Sequence, residues 1–177
     1  MIKKGSNVFY IHGLYGSSSS RKFKFIRERY PLAVCLEWKF NDNIEFYLEN
    51  TFLRLSKVDG HISLIGSSTG GNFAWQIQQK LLEIGKECDL ILINPLLDLM
   101  HKYDDNFPNN LERFLKPMSS FRHTSVIISL KDEVLNSNLV KTFFAKYNEA
   151  NVNPVEIIYV ESDHRITNFD VLLEGAI

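Results

Sequence analysis

Cysteine is nearly absent from this chain, with two residues in 177, Cys35 and Cys88. Both lie inside apolar segments without metal-type spacing, and they read as buried free thiols of a protein kept in a reducing cytoplasm. Charge imbalance is absent too: Lys and Arg number 20 against 21 Asp and Glu, for a formal net charge of −1. No global basic field therefore argues for a nucleic-acid partner. No apolar run approaches the ~20 residues that span a bilayer, so no membrane association is expected. The early run Val8-Phe9-Tyr10-Ile11 is too brief for a secretory signal, and no small-residue cleavage site accompanies it. Phosphate-cradling patterns are missing as well, since there is neither a G-x-G-x-x-G nor a G-K-[ST].

What remains has the make-up of an ordinary soluble globular protein, 45% hydrophobic and 23% charged. With no internal repeat and no linker, the chain reads as a single domain over residues 1–177. Apolar runs of strand length alternate with amphipathic stretches of helix length. Strands are expected at Asn7–Ile11, Ala33–Trp38, Ile62–Ile65, Asp89–Ile93, Thr124–Leu130 and Val155–Val160. Their continuous apolar character suits strands covered on both faces. Helices are expected near Ser20–Tyr30, Ile44–Lys57, Gly71–Ile84 and Asn138–Ala150, with a short last one over Asn168–Leu173. In the second, Ile44, Leu48, Phe52 and Leu55 share one stripe. The β-α alternation predicts an α/β fold, a three-layer α/β/α sandwich around a mostly parallel six-stranded sheet.

Residues 96–122 break this rhythm. The segment holds Pro108, Pro117 and Asn109-Asn110, together with Leu96, Leu97, Leu99, Met100, Tyr103, Phe107, Leu111, Phe114, Leu115 and Met118. It reads as a crossover or short cap, part of which lines a substrate cleft with apolar side chains.

The richest pattern is Gly66-Ser67-Ser68-Thr69-Gly70, a G-x-S-x-G placed between an expected strand and an expected helix. That context makes it a candidate nucleophile elbow, with the Ser68 hydroxyl exposed at the strand end and beside a helix N-terminus. A serine hydroxyl needs a base, the base needs an orienting carboxylate, and the oxyanion needs donors. His164, after the last strand, is the candidate base. His61 and His123 precede their strands, His101 suits a surface role in the cap segment, and His12 suits a loop-shaping role. Asp132, after the penultimate strand, is the candidate acid. Asp98 is its main rival, Glu133 suits a surface role, and Asp163 sits too close in sequence to His164 to face it. The order Ser68, Asp132, His164 is that of α/β-type serine hydrolases. The oxyanion hole is expected to use the backbone N–H groups of Thr69 and of Leu14, in the loop Ile11-His12-Gly13-Leu14-Tyr15-Gly16. Ser17–Ser20 reads as a helix N-cap run. The basic stretch Arg21, Lys22, Lys24, Arg27 and Arg29 reads as a solvated helix face. Its alternative role is a patch for an anionic substrate arm such as a coenzyme A phosphate.

Phe9-Tyr10-Ile11-His12-Gly13, Leu64-Ile65-Gly66-Ser67-Ser68-Thr69-Gly70-Gly71, Leu92-Ile93-Asn94-Pro95, Lys131-Asp132-Glu133-Val134-Leu135 and Asp163-His164-Arg165 carry a resemblance that spans nearly the whole chain. The chain resembles the compact YqiA-like esterases of the α/β-hydrolase superfamily. The resemblance implies a sheet without the first two strands of larger relatives and a serine esterase or thioesterase activity. By motif it carries over Ser68 as nucleophile, Asp132 as acid and His164 as base. Thr69 stands where a large apolar residue is frequent, and Leu14 where phenylalanine is frequent; both differences bear on pocket shape, because the roles use backbone N–H groups.

The expected activity is hydrolysis of a small-molecule carboxylic ester or thioester through an acyl-enzyme, with no cofactor or metal required. The same triad would also serve an acyltransferase or a C–C bond hydrolase, and the same frame a non-catalytic binding protein. A homo-oligomer is left open.

Overall fold

In the computed structural model, residues 2–101 and 107–166 are described, with His101 described by its backbone alone. The expected last helix, Asn168–Leu173, and Tyr103 of the cap segment lie outside the described residues.

Six strands form one sheet: β1 (Asn7–Ile11), β2 (Val34–Cys35), β3 (Ile62–Ser67), β4 (Cys88–Ile93), β5 (Thr124–Ser129) and β6 (Glu156–Val160). Their order is β2-β1-β3-β4-β5-β6, and every pairing is parallel. Among the described residues the helices are α1 (Arg21–Arg29), α2 (Ile44–Ser56), α3 (Thr69–Glu83), α4 (Asn109–Glu112) and α5 (Ser137–Ala150). Alternate strand residues feed two cores, one on each face of the sheet. Phe9, Ile11, Leu64, Leu90, Leu92, Val126 and Ile128 pack with α2, α3 and α5. Val8, Tyr10, Ile65, Ile91, Ile93 and Ile127 pack with Phe23 and Ile26 of α1. β3 and β5 are buried along their whole length, which explains their lack of polar alternation.

Local chemistry sets the helix starts. Ser20, Asn43 and Asn136 each accept the backbone N–H three residues on, at 3.3, 3.1 and 3.3 Å. The α2 stripe falls as expected, with Ile44 and Leu55 buried and Leu48 and Phe52 packed against the same core.

Two strand expectations change in the structure, and the irregular segment takes definite form. β2 covers two residues, where Ala33–Trp38 reads as a strand. It is an edge strand with one partner, and past Leu36 the chain turns inward to bury Trp38. β3 runs two residues further than expected, because Gly66 and Ser67 pair with Leu92 and Ile93. Residues 96–122 form no long crossover helix among the described residues, only a 3₁₀ turn over Leu99–His101 and the single turn of α4. Leu96, Leu97, Leu111, Leu115 and Met118 nonetheless join the main core, while Met100 is exposed.

Candidate active site

β3 ends at Ser67, and α3 begins at Thr69, so the whole turn is made by Ser68. Its backbone sits at φ 53° and ψ −124°, a region that costs a non-glycine residue about 1–3 kcal/mol. The surroundings hold it there. Its N–H donates to the carbonyl of Ile93 at 3.0 Å, and its own carbonyl accepts from Gly71 at 2.9 Å and Leu96 at 3.1 Å. The flanking glycines are required for space. A Cβ on Gly66 would lie 2.6 Å from the Gly70 carbonyl oxygen, and one on Gly70 would lie 2.2 Å from that of His12. Thr69 is the first helical residue, so its N–H has no acceptor within the helix.

The loop after β1 packs directly on this turn. A Cβ on Gly13 would stand 3.1 Å from Ser68 Cβ and 3.8 Å from Ser68 Oγ. The loop after β1 therefore reaches the serine at Gly13, while Thr69 follows it as the first residue of α3. His12 shapes the loop. Its Nδ1 bonds the Gly13 carbonyl at 2.8 Å, and its Nε2 accepts the Trp38 N–H at 3.3 Å. A carbonyl only accepts, so Nδ1 carries the proton and the ring is neutral. Trp38 stacks on the ring at 5.6 Å and donates Nε1–H to the His12 carbonyl at 2.9 Å.

Burial lowers the His12 pKa below its ordinary value of 6.5, against opposing contributions from the Gly13 carbonyl and Glu37. Below that value the unfolded chain takes up a proton that the folded chain resists. Stability contributed by neutral His12 is therefore present above pH 6.5 and is lost as pH falls toward the depressed folded value. Urea unfolding at neutral and mildly acidic pH should show this loss, and His12→Gln, which cannot titrate, should flatten it. An unchanged pH slope in that variant would contradict the assignment.

At the far side of the same strand ends, Asp132 follows β5 and His164 follows β6. His164 Nδ1 lies 2.7 Å from Asp132 Oδ2, while Asp132 Oδ1 accepts the backbone N–H groups of Val134 at 2.8 Å and Leu135 at 2.7 Å. An ionised Asp132 can only accept, so it fixes the His164 proton on Nδ1 and leaves Nε2 with its lone pair. The Asp132 side chain is 3% exposed and that of His164 13%, so the acid is enclosed while the ring stays reachable.

Of the expected set, the structure joins Asp132 and His164 directly. Ser68 stands at the same sheet edge but its hydroxyl makes no hydrogen bond among the described residues. Its link to the pair runs through β4: Ser68 N–H binds the Ile93 carbonyl, and Asn94 Nδ2 donates to the His164 carbonyl at 3.0 Å. Thr69 follows Ser68 directly, and Leu14 follows Gly13 in the loop that packs on the turn.

The rivals fall elsewhere. Asp98 Oδ1 accepts the Met100 N–H at 2.8 Å and caps the 3₁₀ turn. His61 pairs with Asp89 at 2.8 Å at the opposite edge, where β3 and β4 begin. Asp163 bonds its neighbour Ser162 at 3.5 Å. Burial pushes the thiols of Cys35 and Cys88 up to about 12, so neither competes as a nucleophile.

Three residues at the site escape a reading of the sequence. Glu133 is exposed, as expected, yet its Oε2 accepts the His164 N–H at 2.9 Å. Lys22 does not share the solvated face of Arg21, Lys24, Arg27 and Arg29; it is half-buried and donates to the His164 carbonyl at 3.3 Å. Asn94 is buried, with φ 43°. Its Asn-Pro setting directly after a strand is the one signal that marks it in advance. Among the described residues, no group of three His, Cys, Asp or Glu side chains could hold a metal ion, and no helix is long and apolar enough to cross a membrane.

No family model and no curated protein matches the chain. Solved structures do. A pyrethroid hydrolase from Sphingobium faniae is similar at 13% identity and a TM-score of 0.61, covering 96% of this chain and 95% of its own. A putative hydrolase from Agrobacterium vitis is similar at 12% identity and a TM-score of 0.66, covering 96% and 84%. A structure of the metagenome-derived lipolytic enzymes LipS and LipT is similar at 14% identity and a TM-score of 0.62, covering 95% and 90%. With six parallel strands, helices on both faces and a one-residue turn from β3 into α3, the chain has the α/β-hydrolase fold.

Proposed function

We propose that this protein is a serine hydrolase of carboxylic esters or thioesters, close in kind to the compact YqiA-like esterases. The observation that carries the reading is the 2.7 Å contact of His164 with Asp132 at the sheet edge where Ser68 holds its strained backbone. Hydrolase and lipolytic neighbours of the same fold support it. Two unpaired cysteines suit work in a reducing cytoplasm.

In the proposed reaction, Ser68 Oγ attacks the substrate carbonyl carbon as His164 Nε2 takes the hydroxyl proton. The oxyanion meets the N–H groups of Leu14 and Thr69. The tetrahedral intermediate collapses, and His164 gives its proton to the departing alcohol or thiol, leaving an acyl ester on Ser68. Water then attacks, with His164 as base, and releases the acid. Asp132 stays ionised and holds the imidazole throughout. The chain's own residues supply each of these groups.

A fluorophosphonate probe should label Ser68, mapped by mass spectrometry of the peptide. Asp132→Asn should lower kcat for a p-nitrophenyl ester by about 10³–10⁴-fold, because an amide can donate to Nδ1 and favour the wrong tautomer. Undiminished turnover by that variant would rule the acid role out.

A further inference from the structure

We propose that Lys22 and Asn94 form a two-donor clamp on the main-chain carbonyl of His164, which makes Lys22 of α1 a positioning residue for the imidazole. The effect on rate rests on the serine-hydrolase reading; the clamp itself does not.

The peptide groups around His164 are held at both ends. Glu133 accepts the N–H at 2.9 Å, and the carbonyl accepts from Asn94 Nδ2 at 3.0 Å and Lys22 Nζ at 3.3 Å. Asn94 is anchored in turn: its Oδ1 accepts the Ser129 N–H at 2.7 Å, and its Nδ2 also donates to Ser129 Oγ at 2.8 Å. One buried amide thereby fastens the ends of β4 and β5 to the loop after β6. A side chain with φ 43° and all its polar atoms engaged is set by its neighbours and has little room to move.

Lys22 completes the clamp from the other layer, 142 residues away in sequence. Phe23 and Ile26 seat α1 on the sheet, and Lys22 beside Phe23 points to the His164 loop. Burial pushes its pKa down to about 8. The negative charges of Asp132, Asp163 and Glu133 favour the ammonium form, and Arg165 opposes it. A half-buried ammonium is costly where an apolar side chain would serve for packing, so its position beside the base calls for a role there. The clamp holds the backbone that carries the imidazole, and the Asp132 contact holds the ring itself. Misplacement of a reacting group by about 1 Å can cost about 10²-fold in rate.

The test compares wild type, Lys22→Met and Lys22→Arg on a p-nitrophenyl ester from about pH 6 to about pH 10. Lys22→Met should lower kcat about 10-fold with KM within about twofold, and Lys22→Arg should recover most of the loss. The wild-type rate should also decline as pH rises through about 8, where the ammonium loses its charge and becomes a weaker donor. Arginine does not titrate there, so Lys22→Arg should lack that decline. Wild-type kcat and an unchanged alkaline limb in Lys22→Met would overturn the clamp. A wild type that neither labels with fluorophosphonate nor turns over ester would instead overturn the hydrolase reading. The clamp is then judged by the ¹⁵N–¹H imidazole signals of His164: shifted or broadened signals in Lys22→Met support it, and signals superimposable on wild type refute it.

Discussion

Ser68→Ala is expected to lower ester hydrolysis by about 10⁴-fold or more and to remove fluorophosphonate labelling altogether. The reason is chemical, since alanine has no oxygen to attack the carbonyl. The fold should survive, because the Ser68 hydroxyl makes no hydrogen bond among the described residues whose loss would strand a partner. Ser68→Gly sharpens the comparison. It is equally unable to react, yet glycine accepts φ 53° without strain, so it should be more stable than Ser68→Ala by about 1 kcal/mol. Residual turnover by either variant at near wild-type rate would move the chemistry to another residue. Equal stability of the two would mean that the turn is less strained than its dihedral angles imply.

Gly70→Ala is expected to destabilise the protein by about 3 kcal/mol or more, or to prevent folding, as read by urea denaturation. A methyl group there would lie 2.2 Å from the His12 carbonyl oxygen and 2.5 Å from that of Ile11. Both contacts are with backbone, so no side chain can rotate aside; α3 and the end of β1 would have to separate. That separation opens the approach of the Leu14 loop to Ser68, so labelling should fall even in molecules that remain folded. Gly85→Ala gives the contrast. A Cβ there meets nothing within 4 Å, and the cost is the positive φ of 75° alone, about 1 kcal/mol. Gly70→Ala with stability within about 1 kcal/mol of wild type and a normal labelling rate would show that close packing at the elbow is not needed.

Much of the architecture is legible before any coordinates. Continuous apolar runs mark five of the six strands nearly to their ends, and the Ile44, Leu48, Phe52 and Leu55 stripe marks the buried side of α2. The turn from β3 into α3 is legible because its requirements are local: glycines two residues to either side of one serine, between a strand and a helix. The short β2 is not, because the same apolar residues serve an edge strand or an irregular segment that buries Trp38. Residues 96–122 are ambiguous for a related reason. Apolar side chains spaced irregularly can be buried without adopting either period, and Leu96, Leu111 and Met118 are.

By itself the sequence determined five of the six strands and the four longer helices, the order in which Ser68, Asp132 and His164 follow their strands, and the glycines that permit the turn. These follow from periodicity, capping and steric size, all of which act within a few residues. Only the tertiary structure decided that Asp132 meets His164 at 2.7 Å while Asp98 caps a turn, that Glu133 takes the His164 N–H, and that Lys22 leaves its basic neighbours to reach the His164 carbonyl. Those contacts join residues 31 to 142 positions apart, apart from the local cap. Sheet order and helix placement bring such groups together, and neither is written in the local pattern of the residues that meet.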